Sequence, residues 1–310
     1  MRYEERRKRK THKWKRVLAV AVLFIAALGG YTIYQYKQGV RQSEQLIGDQ
    51  PKTEYTFNGN KDEYGGTNIL LLGSDSRHGE RARADTIMIA HYNQAKGTYK
   101  LTSIMRDSYV DIPGYGKHKI NSAFAIGGPD LMRQAIKENF GLDLQYYAIV
   151  GFEGFVQLVD EAFPEGVEIE VEKPMRENIG VRLEPGLQRL DGAHLLGYVR
   201  FRHDAVGDFG RVKRQQKVVK KVANDITSFE KLPKLPKLIG IVVPFINTNM
   251  ETNDMLFMAK DFIGKDRESI QSLRIPVNGS YTDRRISGEG AVLAIDIYKN
   301  RQALHHFITE

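Results

Sequence analysis

The chain contains no cysteine. That absence excludes disulfides, thiolate metal sites, iron–sulfur clusters and cysteine nucleophiles together, while leaving the redox compartment open. Ten prolines and 29 glycines in 310 residues rule out a collagenous or proline-rich design. No Gly-x-Ser-x-Gly elbow is present, so a serine hydrolase of that type is excluded. Gly-x-x-x-x-Gly-Lys-Ser/Thr, the phosphate loop of NTPases, is missing too. His118, His194 and His203 have no metal-binding spacing, and His305 and His306 read as surface or core filler. What remains is 41% apolar and 27% charged, enough to build a core in one large domain or two ordinary ones.

The net charge of +8 sits at one end. Residues 1–16 hold nine Lys or Arg and two Glu, out of chain totals of 46 and 38. The rest of the chain lies within one charge of neutral, so no nucleic-acid partner follows. Directly after the basic run, Val17–Tyr36 (VLAVAVLFIAALGGYTIYQY) has no charged residue. A helix of this length spans the hydrocarbon core of a bilayer. Trp14 marks one interface and Tyr31, Tyr34 and Tyr36 the other. The basic cluster holds the N-terminal side in the cytoplasm. Ala27-Leu28-Gly29 has the small residues of a cleavage site, but the apolar run continues past it.

The expected organisation is a basic cytoplasmic tail at 1–16, a transmembrane signal-anchor helix at 17–36, a polar stalk at 37–66 and an extracellular domain at 67–310. This is a single-pass type II protein of the cell membrane. Within the domain, Asn68–Leu72, Thr86–Tyr92, Tyr99–Met105, Tyr146–Val150, Val167–Val171 and Ser272–Val277 read as strands. Gly127-Gly128-Pro129-Asp130 is expected to begin a helix, with further helices at Phe152–Glu161, Asp191–Tyr198, Arg211–Phe229, Thr252–Ile263 and Asn300–Ile308. Pro233–Pro236 reads as a break. Such alternation predicts an α/β fold with a central sheet flanked by helices.

Ligands of open α/β sheets bind beyond the carboxyl ends of strands, and charged residues fall there. Asp75 follows the first strand, Arg83 and Asp85 precede the second, and Arg106-Asp107 follow the third. Arg200 and Arg202 are two apart, which in an extended segment puts them on one face. Arg211 and Gln215 are four apart on a helix and share a face. Guanidinium forks hold phosphate oxygens bidentately. A hard cation such as Mg²⁺ takes one or two carboxylates and completes its shell with phosphate oxygen and water. The set suits a multiply charged oxyanion with a divalent metal. Arg–Asp pairs are also common structural ion pairs, and Lys213 and Arg214 are read as a structural or solvated face.

GSDSR, RARADT, SIMRDSYVDIPGYGKHKINSAFAIGG and YVRFRHDAVGDFGRVKRQQ resemble the LytR-CpsA-Psr family of Gram-positive bacteria over about residues 67–230. GYGKHKINSA, FPEGVEI and ENIGV look closest to its branch of regulatory proteins and teichoic acid transferases. The resemblance implies an α/β/α sandwich with a central mixed β-sheet and a deep apolar pocket for a lipid tail. It implies a phosphotransferase of cell-wall assembly, moving a glycopolymer such as wall teichoic acid from a polyprenyl-pyrophosphate carrier to peptidoglycan. Carried over by position, Asp75 and Asp85 match acidic residues around Mg²⁺ (or Mn²⁺), with Arg106 in the catalytic set. Arg83, Arg106, Arg200, Arg202, Arg211 and Gln215 match the pyrophosphate-binding set. Asp107, Lys119 and Asn121 match supportive positions, and Asp208 a less defined one. The alternatives are a non-enzymatic envelope regulator, a lipid pyrophosphate hydrolase, and a pure polyprenyl-binding module. Phe124, Phe152 and Phe155 read as core rather than lipid contacts.

Overall fold

The computed structural model describes residues 26–27, 29–45, 53–74, 84–226, 235–264 and 270–310. The basic tail, most of the expected membrane span, Asp75, Arg83 and Pro233 lie outside the described residues. Among the described residues no helix is long and apolar enough to cross a membrane.

Helix α1 covers residues 29–45. Strands β1 (Thr67–Ser74), β2 (Ala84–Asn93) and β3 (Thr98–Ile104) form an antiparallel meander. A hairpin of β4 (Ser108–Ile112) and β5 (Gly116–Lys119) leads into α2 (Asn121–Phe140). Strand β6 (Tyr146–Gly151) then returns parallel to β1 and passes into α3 (Phe152–Ala162). The hairpin β7 (Val167–Val171) and β8 (Gly186–Leu190) stands apart as its own sheet. Helices α4 (Gly192–Arg200), α5 (Gly207–Ile226) and α6 (Leu235–Val242) follow. The chain closes with β9 (Ile246–Thr248), α7 (Thr252–Gly264), β10 (Gln271–Ile275), β11 (Tyr281–Ile286), β12 (Gly290–Ile295) and α8 (Ile297–Thr309). The central sheet is mixed, in the order β10-β3-β2-β1-β6-β9, and a second sheet runs β11-β12-β4-β5.

Alternation along β1 gives the central sheet two different faces. On one, Leu70 and Leu72 lie opposite Ile89 and Ile87, and all four are buried with Met132 and Ile136 of α2 and Leu304 and Ile308 of α8. On the other, Ile69 pairs with Ala90, and Leu71 and Gly73 pair with Ala148 and Val150, all only half-buried, while Met88 opposite Leu71 is buried. A second core packs β7 and β8 against α3 and α4 through Val167, Ile169, Leu190, Leu195 and Tyr198. Phe124 lies in the first core and Phe155 packs on the second.

Helix α2 begins six residues before the expected Gly127, at Asn121. Gly127 and Gly128 then leave helical geometry, and Pro129 restarts the helix where a missing N–H does no harm. At Gly128 the backbone has φ 66° and ψ −158°, open only to glycine, and the Tyr55 ring fills the space beside it. Tyr55 belongs to the segment read as a stalk. Of that segment, residues 37–45 are helical and residues 53–66 lie on the domain, with Tyr55, Phe57 and Tyr64 against the first core. Asn60 N–H donates to Leu144 O at 3.0 Å and Asn58 N–H to Asp130 Oδ1 at 2.9 Å. Three aromatic side chains spread through a polar stretch dock it.

Helix α1 crosses α6 at backbone contact. A Cβ at Gly39 would overlap the Lys237 carbonyl oxygen, and one at Gly240 the Tyr36 carbonyl oxygen. Ser43 is fully buried there and donates to Ile241 O at 2.9 Å. Gly39→Leu is therefore expected to undock α1 and destabilise the protein by about 1–3 kcal/mol, the usual effect of overpacking. Hydrogen exchange over residues 29–45 checks this: unchanged protection in the variant contradicts a close helix crossing.

Candidate active site

Strands β1, β3 and β6 share a direction, so Ser74, Ile104 and Gly151 end at one edge of the sheet, where β2 enters at Ala84. The turn after β3 is pinned from several sides. Met105 N–H donates to Ile275 O at 2.8 Å, Ser108 N–H to Met105 O at 3.0 Å, and Asn121 N–H to Arg106 O at 3.3 Å. Arg106 is thereby fixed against three carboxylates. Its Nη1 bonds Asp85 Oδ1, and its Nε lies 3.4 Å from Asp208 Oδ2 and 3.6 Å from Asp107 Oδ2. Burial alone lowers its pKa, but Asp208, Asp85 and Asp107 outweigh burial and hold it above the ordinary arginine value.

On α5, Asp208, Arg211 and Gln215 recur at one-turn and two-turn spacing, so they share a face. Arg211 donates to Asp208 Oδ2 at 2.7 Å, which makes that carboxylate common to two guanidiniums. Arg211 is buried, and burial lowers its pKa; Asp208 opposes that shift and Arg106 adds to it. Arg106 and Arg211 both leave a buried Nε–H without a hydrogen-bond partner. Gln215 donates to Thr86 Oγ1 at 2.8 Å, which ties α5 to the start of β2.

Arg200 is the last residue of α4, so Arg-x-Arg is not the extended segment that the spacing suggested. Phe201 turns the chain with φ −59° and ψ 131° and is itself buried. Arg200 and Arg202 nevertheless line the same cavity as Arg106, Arg211, Gln215 and Asp85, a space of about 280 Å³. Arg200 also stands 4.8 Å from the centre of the Phe152 ring, which places Phe152 on the cavity wall rather than in either core. Lys119 bonds Asp107 at 3.1 Å, and Asn121 is buried beneath the turn, so both hold the site from outside the cavity. Thr86, Glu177, Asn178 and His203 also line it. No spacing in the sequence marks Thr86 or Glu177, and His203 stands there without metal-binding spacing.

Arg214, read as part of a structural or solvated face, is structural and buried. It donates to Phe201 O at 2.5 Å and lies 3.3 Å from Asp204 Oδ2, with its guanidinium 5.2 Å from the Phe201 ring centre. It thus holds the turn that aims Arg200 and Arg202. Arg214→Ala is expected to cost about 3 kcal/mol of stability, the lower end for breaking a buried pair. A urea midpoint unchanged from wild type contradicts that role.

Among the described residues no group of three ligating side chains is present. Asp85 supplies one hard oxygen donor to the cavity wall. That fits a cation held by one or two carboxylates and by the phosphate oxygens it neutralises.

The protein is thus an α/β protein whose helix-flanked mixed sheet gathers guanidiniums beyond the carboxyl edge of its strands. The chain belongs to the LytR_cpsA_psr family, whose model matches residues 30–303. It is 42% identical over 280 residues to the regulatory protein MsrR of Staphylococcus aureus strain COL, covering 90% of this chain and 85% of that protein. It is 30% identical over 288 residues to the polyisoprenyl-teichoic acid--peptidoglycan teichoic acid transferase TagU of Oceanobacillus iheyensis, covering 90% and 89%. These are the branch that the motifs indicated. Among solved structures, YwtF (TagT) with bound octaprenyl pyrophosphate lipid shares the fold, with a TM-score of 0.60 at 24% identity over 81% of this chain and 94% of that one.

Proposed function

We propose that the protein is a phosphotransferase of cell-wall assembly, anchored in the membrane with its domain outside the cell. It moves a glycopolymer of wall teichoic acid type from a polyprenyl-pyrophosphate carrier to peptidoglycan. One adjacency carries the reading. Thr86, on the wall of the arginine cavity, pairs with Gly73 on the half-buried face of the sheet, beside Leu71, Ala90, Ala148 and Val150. A cationic cavity that meets a strip of apolar side chains matches a ligand with a pyrophosphate head and a hydrocarbon tail. The names of two relatives support it: TagU transfers teichoic acid to peptidoglycan, and TagT holds octaprenyl pyrophosphate.

Arg106, Arg200, Arg202 and Arg211 offer donors to the phosphate oxygens, and these donors stand in place before the charge redistributes. The acceptor hydroxyl oxygen bonds to the phosphorus that carries the glycopolymer. The bridging P–O bond breaks, and polyprenyl phosphate leaves with the bonding electrons. The hydroxyl proton passes to a carboxylate, Asp85 on the cavity wall or Asp75 after β1. Asp75 and Asp85 would hold Mg²⁺ or Mn²⁺ together with the phosphates, and the metal would supply further charge neutralisation. The bond energy arrives in the donor itself. The span at 17–36 confines enzyme and lipid to one surface.

Metal removal tests the ionic part. EDTA is expected to reduce transfer by about 100-fold or more, the scale of one lost charge-stabilising group, and added Mg²⁺ to restore it. Undiminished transfer in EDTA contradicts the metal assignment to Asp75 and Asp85. Donor binding with neither transfer nor pyrophosphate cleavage favours the regulator that the name of MsrR describes.

A further inference from the structure

The arginine side of the cavity recognises only half of a transfer reaction. Arginine carries N–H donors and no acceptor, so it selects anionic oxygens. A sugar hydroxyl is neutral and both donates and accepts, so orienting it takes an acceptor and a donor. Asp85, the carboxylate on the arginine side, is bound by Arg106.

The rest of the lining offers a different set. Glu177, Asn178 and His203 line the same space, and all three are exposed at its rim. Glu177 makes no ion pair or hydrogen bond among the described residues, although Arg176 and Arg182 nearby pair with Glu184. Asn178 Nδ2–H donates to His203 Nε2 at 3.0 Å. An accepting Nε2 leaves the proton of a neutral imidazole on Nδ1, where it is a donor. The rim thus presents one free acceptor and one oriented donor.

The backbone beneath is held in place. Asn178 has φ 58°, and among the described residues it is the one non-glycine residue with positive φ. Asparagine tolerates that left-handed geometry better than most residues, and a non-glycine residue holds it only where its surroundings enforce it. Here they do. Met175 and Leu183 exchange backbone hydrogen bonds of 2.9 Å across the loop, and Ile179, the next residue, is buried in the second core. Glu177 and Asn178 therefore sit exposed on a pinned tip that lines the same cavity as the arginines.

We infer that Glu177, Asn178 and His203 form the acceptor subsite of the cavity, which receives a neutral polyhydroxyl sugar of the acceptor glycan. Glu177 accepts from one hydroxyl of the ring, and His203 Nδ1–H donates to another. Asn178 is a positioning residue that fixes the imidazole. The assignment rests on the transferase reading and specifies where its second substrate binds.

Glu177→Gln, Asn178→Ala and Asn178→Gly in the full chain test it, the last keeping the left-handed backbone free of strain while removing the side chain. Two quantities are measured for each: affinity for a polyprenyl-pyrophosphate glycan donor without acceptor, and the KM for soluble peptidoglycan fragments. We expect the acceptor KM to rise about tenfold or more, the scale of one hydrogen bond to a charged or oriented group, with donor affinity within about twofold of wild type. Equal behaviour of Asn178→Ala and Asn178→Gly assigns the effect to the side chain. An unchanged acceptor KM in Glu177→Gln and Asn178→Gly, or a parallel loss of donor affinity, overturns the subsite. A wild-type protein that binds donor and transfers nothing to any glycan overturns the transferase reading and the subsite with it.

Discussion

Arg106→Ala is expected to reduce transfer by about 10³-fold, the upper range for removing one preorganised charge-stabilising donor, and to lower stability as well. Among the described residues Arg106 is the one cation in contact with Asp85, Asp107 and Asp208 together. Its loss leaves three carboxylates around a partly buried position, with Lys119 still on Asp107 and Arg211 still on Asp208. A loss of about 2–3 kcal/mol follows, below the figure for a fully buried pair because these groups are partly solvated. Arg106→Lys separates the two effects. It keeps the charge that the carboxylates need but loses the planar fork, so stability should recover while transfer stays low. Wild-type turnover in a folded Arg106→Ala protein contradicts the phosphate-binding role, and full activity in Arg106→Lys reduces that role to charge alone.

Arg202→Ala should show the opposite balance. Arg202 is exposed on the cavity and makes no ion pair or hydrogen bond among the described residues, unlike Arg214, which is buried and donates to Phe201 O. An exposed side chain without partners contributes little to folding, so its removal should change stability by less than about 0.5 kcal/mol. A guanidinium that neutralises a phosphate contributes far more to binding, so donor affinity should fall by about 30–100-fold. Calorimetric titration of the donor, with a thermal melt of the same sample, reads both numbers. A melting temperature that falls while donor affinity holds would make Arg202 a structural residue and shift the cavity's function to Arg106 and Arg211.

Much of the arginine side was legible in the sequence, because its residues follow strands whose apolar runs are plain. Arg106 comes two residues after the end of Thr98–Ile104, and Arg211 and Gln215 are spaced for one helical face. What escaped has physical causes. Asp208 joins two arginines through folding of α5 against the β3–β4 turn, a contact between distant segments. Strands β5 (GKHK) and β11 (YTDRRI) are short, charged and largely exposed, so neither shows apolar alternation, and the sequence does not announce the second sheet. The half-buried strip of Ile69, Leu71, Ala90, Ala148 and Val150 uses the residues of an ordinary core. Only the pairing of β1 with β2 and β6 places them on the incompletely covered face. The left-handed Asn178 has no signal in composition or periodicity, since its geometry is set by the burial of Ile179 and the Met175–Leu183 bridge.

The measurement that bears most directly on the whole is the covalent product. The full chain in lipid vesicles is given a polyprenyl-pyrophosphate donor with a labelled glycopolymer, purified peptidoglycan and Mg²⁺, and the wall polymer is digested and examined by mass spectrometry. A labelled glycopolymer joined to a peptidoglycan sugar by a phosphodiester, with polyprenyl phosphate released in equal amount, is the expected result. Polyprenyl phosphate released with free glycopolymer phosphate, and no label on the wall at any acceptor concentration, would contradict the transferase and make the protein a hydrolase of the same donor.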